Sequence, residues 1–415
     1  MSISRRIEEC RVCGTRLPEP FLDLGNQPLA NNLLKSVDDT EPRVPLELSR
    51  CPDCALVQLT ETVDPEVLFR DYVWVSGTAR TTRDYAEQFC HSVLERVANK
   101  EKISVSEVAS NDGTFLKPFK KLGHRVQGID PARNIAAIAE QAGIPTYAEF
   151  FGQKAAEHLK KENGLSDIVI ARNVIPHVAD VNDVIAGMAA LLKPAGTGVI
   201  EFHDASIIQK ELHYDSVYHE HLFYFTLTTL GRLLNRHGLS MFDITTSPIS
   251  GGSIVVYFSH ETRQESAALT AQFAQEADTR INDAKTWHEF ALSCQAHRQA
   301  LRSLIDKFVS AGVQVLGYGA SARSSTMLNF CQLDSKLVSA IADQNALKHG
   351  LLTPGTHIPI SAPSDVFGQL ADTNTVVLLL AWNFADEIIQ ILRTELAFEG
   401  EIVQPLPNEV EVICR

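Results

Sequence analysis

The sequence predicts an α/β protein in which two strand–turn–helix modules follow a small metal-binding domain, and three observations carry that expectation. Two Cys-x-x-Cys pairs open the chain, Cys10 with Cys13 and Cys51 with Cys54. An apolar strand at 103–108 runs into a turn of small residues, and the next strand ends in a carboxylate, Asp130. A second apolar strand at 313–318 runs into a G-x-G-x-x-A turn, with Asp343 after the strand that follows. At 415 residues the chain exceeds what one hydrophobic core usually serves, and its 45% apolar content is ordinary for a globular protein.

A formal charge of −14 argues against nonspecific binding to nucleic acid or to an anionic membrane, both of which need basic surface to neutralise phosphate. Any phosphate on a substrate must then be met locally. The N-terminal residues MSISRRIEEC lead into no apolar run, and no later segment reaches the roughly 20 apolar residues of a membrane span. A cytoplasmic protein is expected. Eight cysteines without a secretory leader read better as metal ligands than as disulfides.

The metal reading rests on residues 1–70. Two Cys-x-x-Cys knuckles supply four thiolates, the donor set of a tetrahedral structural zinc. A redox dithiol would need only one such pair on a thioredoxin-like pattern, which is missing here. Four protein ligands leave zinc no open position, so Cys10, Cys13, Cys51 and Cys54 serve folding rather than catalysis. The long intervening segment should project a loop carrying Leu29, Ala30, Asn31 and Asn32.

Residues 71–260 should hold the first α/β module. An aromatic, turn-bearing stretch with Tyr72, Ser76 and Gly77 either covers a ligand or packs at a domain boundary, and Tyr85, Phe89, Val93 and Val97 recur at helical spacing. The turn Ala109-Ser110-Asn111-Asp112-Gly113 lets backbone approach a ligand and aims N–H groups at it. Asp130, followed by Pro131, stands where a ribose diol is held in nucleotide-binding folds. Phe150 and Phe151 are rings able to sandwich an adenine, and a strand at 167–171 ends at Arg172, Asn173 and His177. A turn at 191–196 should feed a strand at 198–202. After it comes Tyr218-His219-Glu220-His221, four consecutive proton-handling residues. The tetrad lacks the H-E-x-x-H spacing of a zinc protease, so it is either a site for proton transfer or a buried, hydrogen-bonded cluster.

Residues 261–415 should hold the second module. The stretch 262–308, rich in Ala, Gln, Glu and Arg, predicts one or two amphipathic helices. Gly317-Tyr318-Gly319-Ala320-Ser321-Ala322 and Asp343 have the form of a dinucleotide fingerprint, which read alone would bind NAD.

Taken together, the knuckles, Pro28-Leu29-Ala30-Asn31, the segment from Glu107 through Thr114, Asn173 through His177, the tetrad and Gly251-Gly252-Ser253 resemble the S-adenosylmethionine-dependent nucleotide-sugar C-methyltransferases. Members of that family have a zinc-binding domain, a Rossmann-like methyltransferase domain and a second Rossmann-like domain, and they act on dTDP-linked 4-keto-deoxysugars, typically at carbon 3. The resemblance spans nearly the whole chain. Ala109 departs from it where glycine is usual, and so does Pro176 where a less rigid residue is common.

The resemblance implies cofactor contacts from Ser76, Glu107, Ala109, Ser110, Asn111, Asp112 and Gly113, and from Asp130, Pro131, Phe150, Phe151 and Asn173. It makes His221 the general base, with Glu220 orienting the imidazole or holding a sugar hydroxyl or amine. Tyr218 and Tyr72 would donate to an enolate oxygen, with His177 assisting. In the second module it implies sugar-nucleotide contacts from Ser321, Arg323 and Lys348, joined by Asn32. Two alternatives stay open: an NAD-dependent nucleotide-sugar oxidoreductase, and a non-catalytic zinc- and nucleotide-binding protein. The sequence leaves the oligomeric state open, a monomer among the options.

Overall fold

The computed structural model describes residues 3–70, 75–78, 80–97, 101–247, 252–368 and 374–414. Its N-terminal part is built on a four-stranded antiparallel sheet in the order Phe223–Tyr224, Val57–Leu59, Arg43–Arg50, Leu22–Pro28. In Arg43–Arg50, Val44, Leu46 and Leu48 alternate inward, the period-2 pattern of a sheet covered on one face. The edge strand Phe223–Tyr224 comes from far along the chain and immediately follows the tetrad. A two-stranded pair, Ser4–Arg6 with Glu61–Val63, closes the domain.

The central sheet has seven strands in the order Ser240–Ser247, Ser253–Ser259, Leu192–His203, Ser166–Arg172, Ser104–Val108, Arg125–Ile129, Thr146–Tyr147. Ser253–Ser259 alone is antiparallel to its neighbours, wedged between two strands that run with the rest. Ile168, Val169, Ile170 and Ala171 are all fully buried, the continuous apolar run expected of a parallel strand covered on both faces. Strand order reverses between Ser104–Val108 and Ser166–Arg172, and the crevice at their carboxyl ends is where such sheets bind ligands. Strand Leu192–His203 is longer than the sequence suggests: the expected turn at 191–196 is absorbed as an irregularity between Leu192 and Thr197. Helix Arg80–Glu95 buries Tyr85, Phe89 and Val93, the residues whose spacing predicts it.

The third sheet runs Ile360–Ser361, Ile341–Ala342, Gln314–Tyr318, Thr375–Leu379, Glu401–Gln404, Glu411–Ile413, parallel except for its last strand. Helices Ala267–Thr279 and Ala284–Ser310 join the two modules, as the composition of 262–308 predicts. The longer one buries Trp287, Phe290, Ala291, Cys294, His297, Leu301 and Ile305 along one stripe. Among the described residues no helix is long and apolar enough to cross a membrane.

Candidate active site

At the end of strand Ser104–Val108 the chain coils tightly, with positive φ at Ala109 (51°), Asn111 (51°) and Gly113 (73°). Gly113 is required twice over, since a Cβ there would also lie 2.8 Å from Ile144 Cγ1. Asp130 holds the coil by accepting the Asn111 N–H at 2.8 Å and the Ala132 N–H at 2.9 Å, and burial raises its pKa. Ser76 N–H donates to Asn111 Oδ1 at 2.9 Å, and a Cβ on Gly77 would fall 2.4 Å from Asp112 Oδ2. Residues 75–78 therefore lie on the turn; Tyr72, on the same stretch, falls outside the described residues.

Beneath the turn, Glu107 is fully buried, and loss of solvation pushes its carboxyl up to about 8. Its Oε2 has no hydrogen-bond partner among the described residues. A ligand bearing donor groups would complete that oxygen, so the turn fits a hydroxylated, cationic cofactor such as S-adenosylmethionine. Next to it, Arg172 pairs with the buried Glu201 at 2.7 Å and stacks over the Phe115 ring at 3.1 Å. Asn173, in left-handed conformation, donates its N–H to the Glu201 carbonyl at 2.8 Å. Phe150 has a face covered by the Arg70 guanidinium at 4.6 Å, while Phe151 packs half-buried on the core. Arg70 also reaches the Pro131 carbonyl at 3.5 Å. The Arg70 guanidinium thus occupies one face of Phe150.

The tetrad is suspended between domains. Leu222 N–H donates to the Pro176 carbonyl at 2.7 Å, and its own carbonyl accepts Leu59 N–H at 3.0 Å. His219 is turned away, its Nε2 donating to the Val44 carbonyl at 3.2 Å. His221 faces the site. Its Nδ1 lies 2.8 Å from the Ser216 carbonyl, which can only accept, so Nδ1 carries the proton and Nε2 keeps a lone pair. The Tyr218 hydroxyl donates to that Nε2 at 2.7 Å. His177 meets His221 edge-on at 4.8 Å between ring centres, and His177 Nδ1 has no partner among the described residues. Burial lowers the pKa of His177 to about 4; burial and then His177 hold His221 well below its usual value. Both are neutral near pH 7, the form a general base requires.

Glu220 does not orient the imidazole, contrary to one expectation. Its Oε1 accepts Asn31 Nδ2–H at 2.6 Å, and burial raises its carboxyl to about 7. Asn31 and Asn32 are both exposed, and it is Asn31 that the hydrogen bond to Glu220 ties to the tetrad.

In the second module, Ser321 caps helix Ala322–Phe330 through a reciprocal pair with Ser324. Arg323 places Nε and Nη2 on the two oxygens of Asp215, at 3.1 and 2.9 Å. Lys348 Nζ donates to the Ala320 carbonyl at 2.6 Å and lies 3.2 Å from Asp343 Oδ2. Sequence reasoning missed Asp215, the Arg172–Glu201 pair and the Ser216 carbonyl. Asp215 and the Arg172–Glu201 pair have no local signature because each acts through a partner distant in sequence, and the Ser216 carbonyl is a backbone group that no side-chain pattern marks.

The four knuckle cysteines converge. Cys10 and Cys54 sulfurs are 3.6 Å apart, Cys13 and Cys51 sulfurs 3.4 Å, and all four lie within 4.8 Å of one another. A tetrahedron of Zn–S bonds of about 2.3 Å has sulfurs about 3.8 Å apart, so the cluster fits zinc with little adjustment. Gln58 Nε2 donates to Cys10 Sγ at 3.1 Å from the strand that pairs with Phe223–Tyr224, which ties the metal site to the segment after the tetrad.

A seven-stranded sheet with one antiparallel insertion, a coiled turn over a buried acid and a four-thiolate site define an S-adenosylmethionine-dependent methyltransferase with a zinc-binding domain. Family models match in the same order: a zinc binding domain over residues 10–69, a methyltransferase domain over 82–243 and a C-methyltransferase C-terminal domain over 248–407. The C-methyltransferase NovU of Streptomyces niveus is 34% identical over 413 residues, 98% of this chain and 97% of that protein. The chain belongs to the C-methyltransferase family. A ubiquinone biosynthesis O-methyltransferase of Rhodopseudomonas palustris (strain TIE-1) is 36% identical over 101 residues, 24% of this chain and 40% of its own length. Among solved structures, the CcbJ methyltransferase from Streptomyces caelestis covers 48% of this chain and 97% of its own, at 13% identity and a TM-score of 0.35.

Proposed function

We propose that this C-methyltransferase moves the methyl group of S-adenosylmethionine to a ring carbon, carbon 3, of a dTDP-linked 4-keto-deoxysugar. In this reading residues 1–70 bind zinc, 71–260 bind the cofactor and 261–415 complete the sugar-nucleotide site. The observation that supports it most is the Tyr218–His221 pair, with Nδ1 of His221 spent on the Ser216 carbonyl and Nε2 left basic. A carbon beside a ketone becomes a nucleophile when its proton is removed. When the Tyr218 hydroxyl turns from Nε2 to the ketone oxygen, Nε2 is free to accept that proton and the hydroxyl donates to the enolate oxygen as it forms. Glu220 and Asn31 hold a hydroxyl or amine of the sugar, and His177 lines the same space. The cofactor, held by the Ala109–Gly113 turn and Asp130, supplies an electrophilic methyl group on a sulfonium.

The NAD reading fares worse because Lys348 already occupies Asp343, the acid that would meet a ribose. Incubation with S-adenosylmethionine and a dTDP-4-keto-deoxysugar should yield S-adenosylhomocysteine and a singly methylated sugar nucleotide by mass spectrometry. His221→Asn should lower kcat about a thousandfold while S-adenosylhomocysteine still raises the melting temperature. Undiminished turnover in that variant would remove His221 as the base, and stabilisation by NAD in place of S-adenosylhomocysteine would overturn the assignment.

A further inference from the structure

The segment that feeds the base is anchored almost wholly from the second module. Tyr214 hydroxyl donates to His297 Nδ1 at 3.0 Å, and His297 is set in turn by its Nε2–H to the Pro405 carbonyl at 2.6 Å. Asp215 is 0% exposed and binds three donors: Arg323 Nε and Nη2, and Trp382 Nε1–H at 2.7 Å. The Arg323 guanidinium also lies over the Trp382 ring at 4.7 Å. The Val217 carbonyl accepts Thr326 Oγ1–H at 2.8 Å. Ser216, between these anchored residues, turns its carbonyl to His221 Nδ1.

A buried ion pair is a poor device for stability alone, because apolar residues of equal volume commonly do as well without the desolvation cost. A forked guanidinium on a carboxylate does, however, impose one geometry at both ends. Here one end is the residue next to the carbonyl that holds the base. We propose that Asp215, Arg323 and Trp382 form a positioning clamp for His221: the second module sets the direction of the Ser216 carbonyl and so keeps the imidazole protonated at Nδ1 with Nε2 turned to the substrate. Arg323, expected from sequence at a sugar nucleotide, acts through Asp215 instead. The inference rests on His221 being the base of the proposed function. It assigns the C-terminal module a part in the chemical step as well as in binding.

Two variants test it. Trp382→Phe keeps a smaller aromatic ring beside Arg323 and removes the Nε1–H donor; Arg323→Lys keeps the charge and loses the fork. The tautomer of His221 is read from nitrogen-15 spectra of histidine-labelled protein with S-adenosylhomocysteine bound, its signal identified by its loss in His221→Gln. Wild type should show the Nδ1–H form alone, and both variants a mixture of tautomers. With the sugar nucleotide, kcat should fall about tenfold in Trp382→Phe and about a hundredfold in Arg323→Lys, at unchanged KM and unchanged S-adenosylhomocysteine affinity. A raised KM with kcat and tautomer as in wild type would return Arg323 to substrate binding and overturn the proposal, as would variants identical to wild type in all three. Should Arg323→Lys fail to fold, Trp382→Phe, which leaves the ion pair in place, decides alone. The spectra need no turnover, so a wild-type protein inactive on the sugar nucleotide would refute the proposed function while the tautomer still judges the clamp.

Discussion

The two α/β modules place an acid in the same register and use it for different ends. In the first, Ser110 N–H donates to the Ile129 carbonyl at 3.1 Å, and Asp130 accepts from Asn111 and Ala132. In the second, Gly319 N–H donates to the Ala342 carbonyl at 2.8 Å, and Asp343 accepts from Ala320 and Asn345, both at 2.8 Å. The difference is Lys348, which sits on Asp343, whereas Asp130 has no salt bridge among the described residues. One crevice leaves its acid without a cation and the other has filled its own. A shared topology therefore says where a ligand would bind, and side chains decide whether one does.

The largest expected effect falls on two buried histidines in or near the tetrad. Burial lowers His213 to about 3 and His219 to about 4, against 6.5 for the free side chain. Because the folded state refuses these protons, stability is full above pH 6.5 and declines as pH falls below it. At pH 5 each histidine should cost about 2 kcal/mol, so urea midpoints should drop between pH 7.5 and pH 5. A flat profile would mean the two sites accept the charges.

Within the second module, Gly319 has φ of 96°, and a Cβ there would lie 2.4 Å from Ala381 Cβ. Gly319→Ala should cost about 3 kcal/mol in denaturant unfolding, from strain and overlap together. The comparison of acids comes next. Asp130→Asn should weaken S-adenosylhomocysteine binding by ten- to a hundredfold, about 1.4–2.8 kcal/mol, in calorimetric titration. Asp343→Asn should leave that affinity unchanged, and equal losses in the two variants would break the distinction. The smallest effect belongs to Ala109, a non-glycine residue held left-handed at φ 51°. Ala109→Gly should raise stability by up to about 1 kcal/mol, since relieved strain slightly exceeds the added chain entropy.

Much of the framework was legible in sequence because it depends on neighbours along the chain. Paired Cys-x-x-Cys spacing marked the thiolate cluster, and the stripe from Tyr85 to Val93 marked its helix. Strands ending in small residues and an acid marked both crevices. The loop after Pro28 was expected to project, yet which of its two asparagines reaches the site was not visible. Asn31 meets Glu220 across 189 residues, and only chain geometry at the turn selects it over Asn32. Likewise, Arg323 has the look of a phosphate ligand until Asp215, 108 residues away, is found between its nitrogens.

By itself, then, the sequence determined the four-thiolate cluster, the coiled turn with Asp130 and the run of titratable side chains from Tyr218 to His221. Ligand spacing, helical period and tolerance of positive φ are properties of short segments and are written in consecutive positions. Tertiary structure alone decided the tautomer of His221, the partner of Glu220, the filling of the second crevice by Lys348 and the pairing of Phe223–Tyr224 with the zinc domain. The partner of Glu220 and the pairing of Phe223–Tyr224 depend on surfaces that meet only when the domains dock, and the other two on how the chain folds back within a few residues; in each, a donor or acceptor must find its complement or forfeit the cost of leaving water.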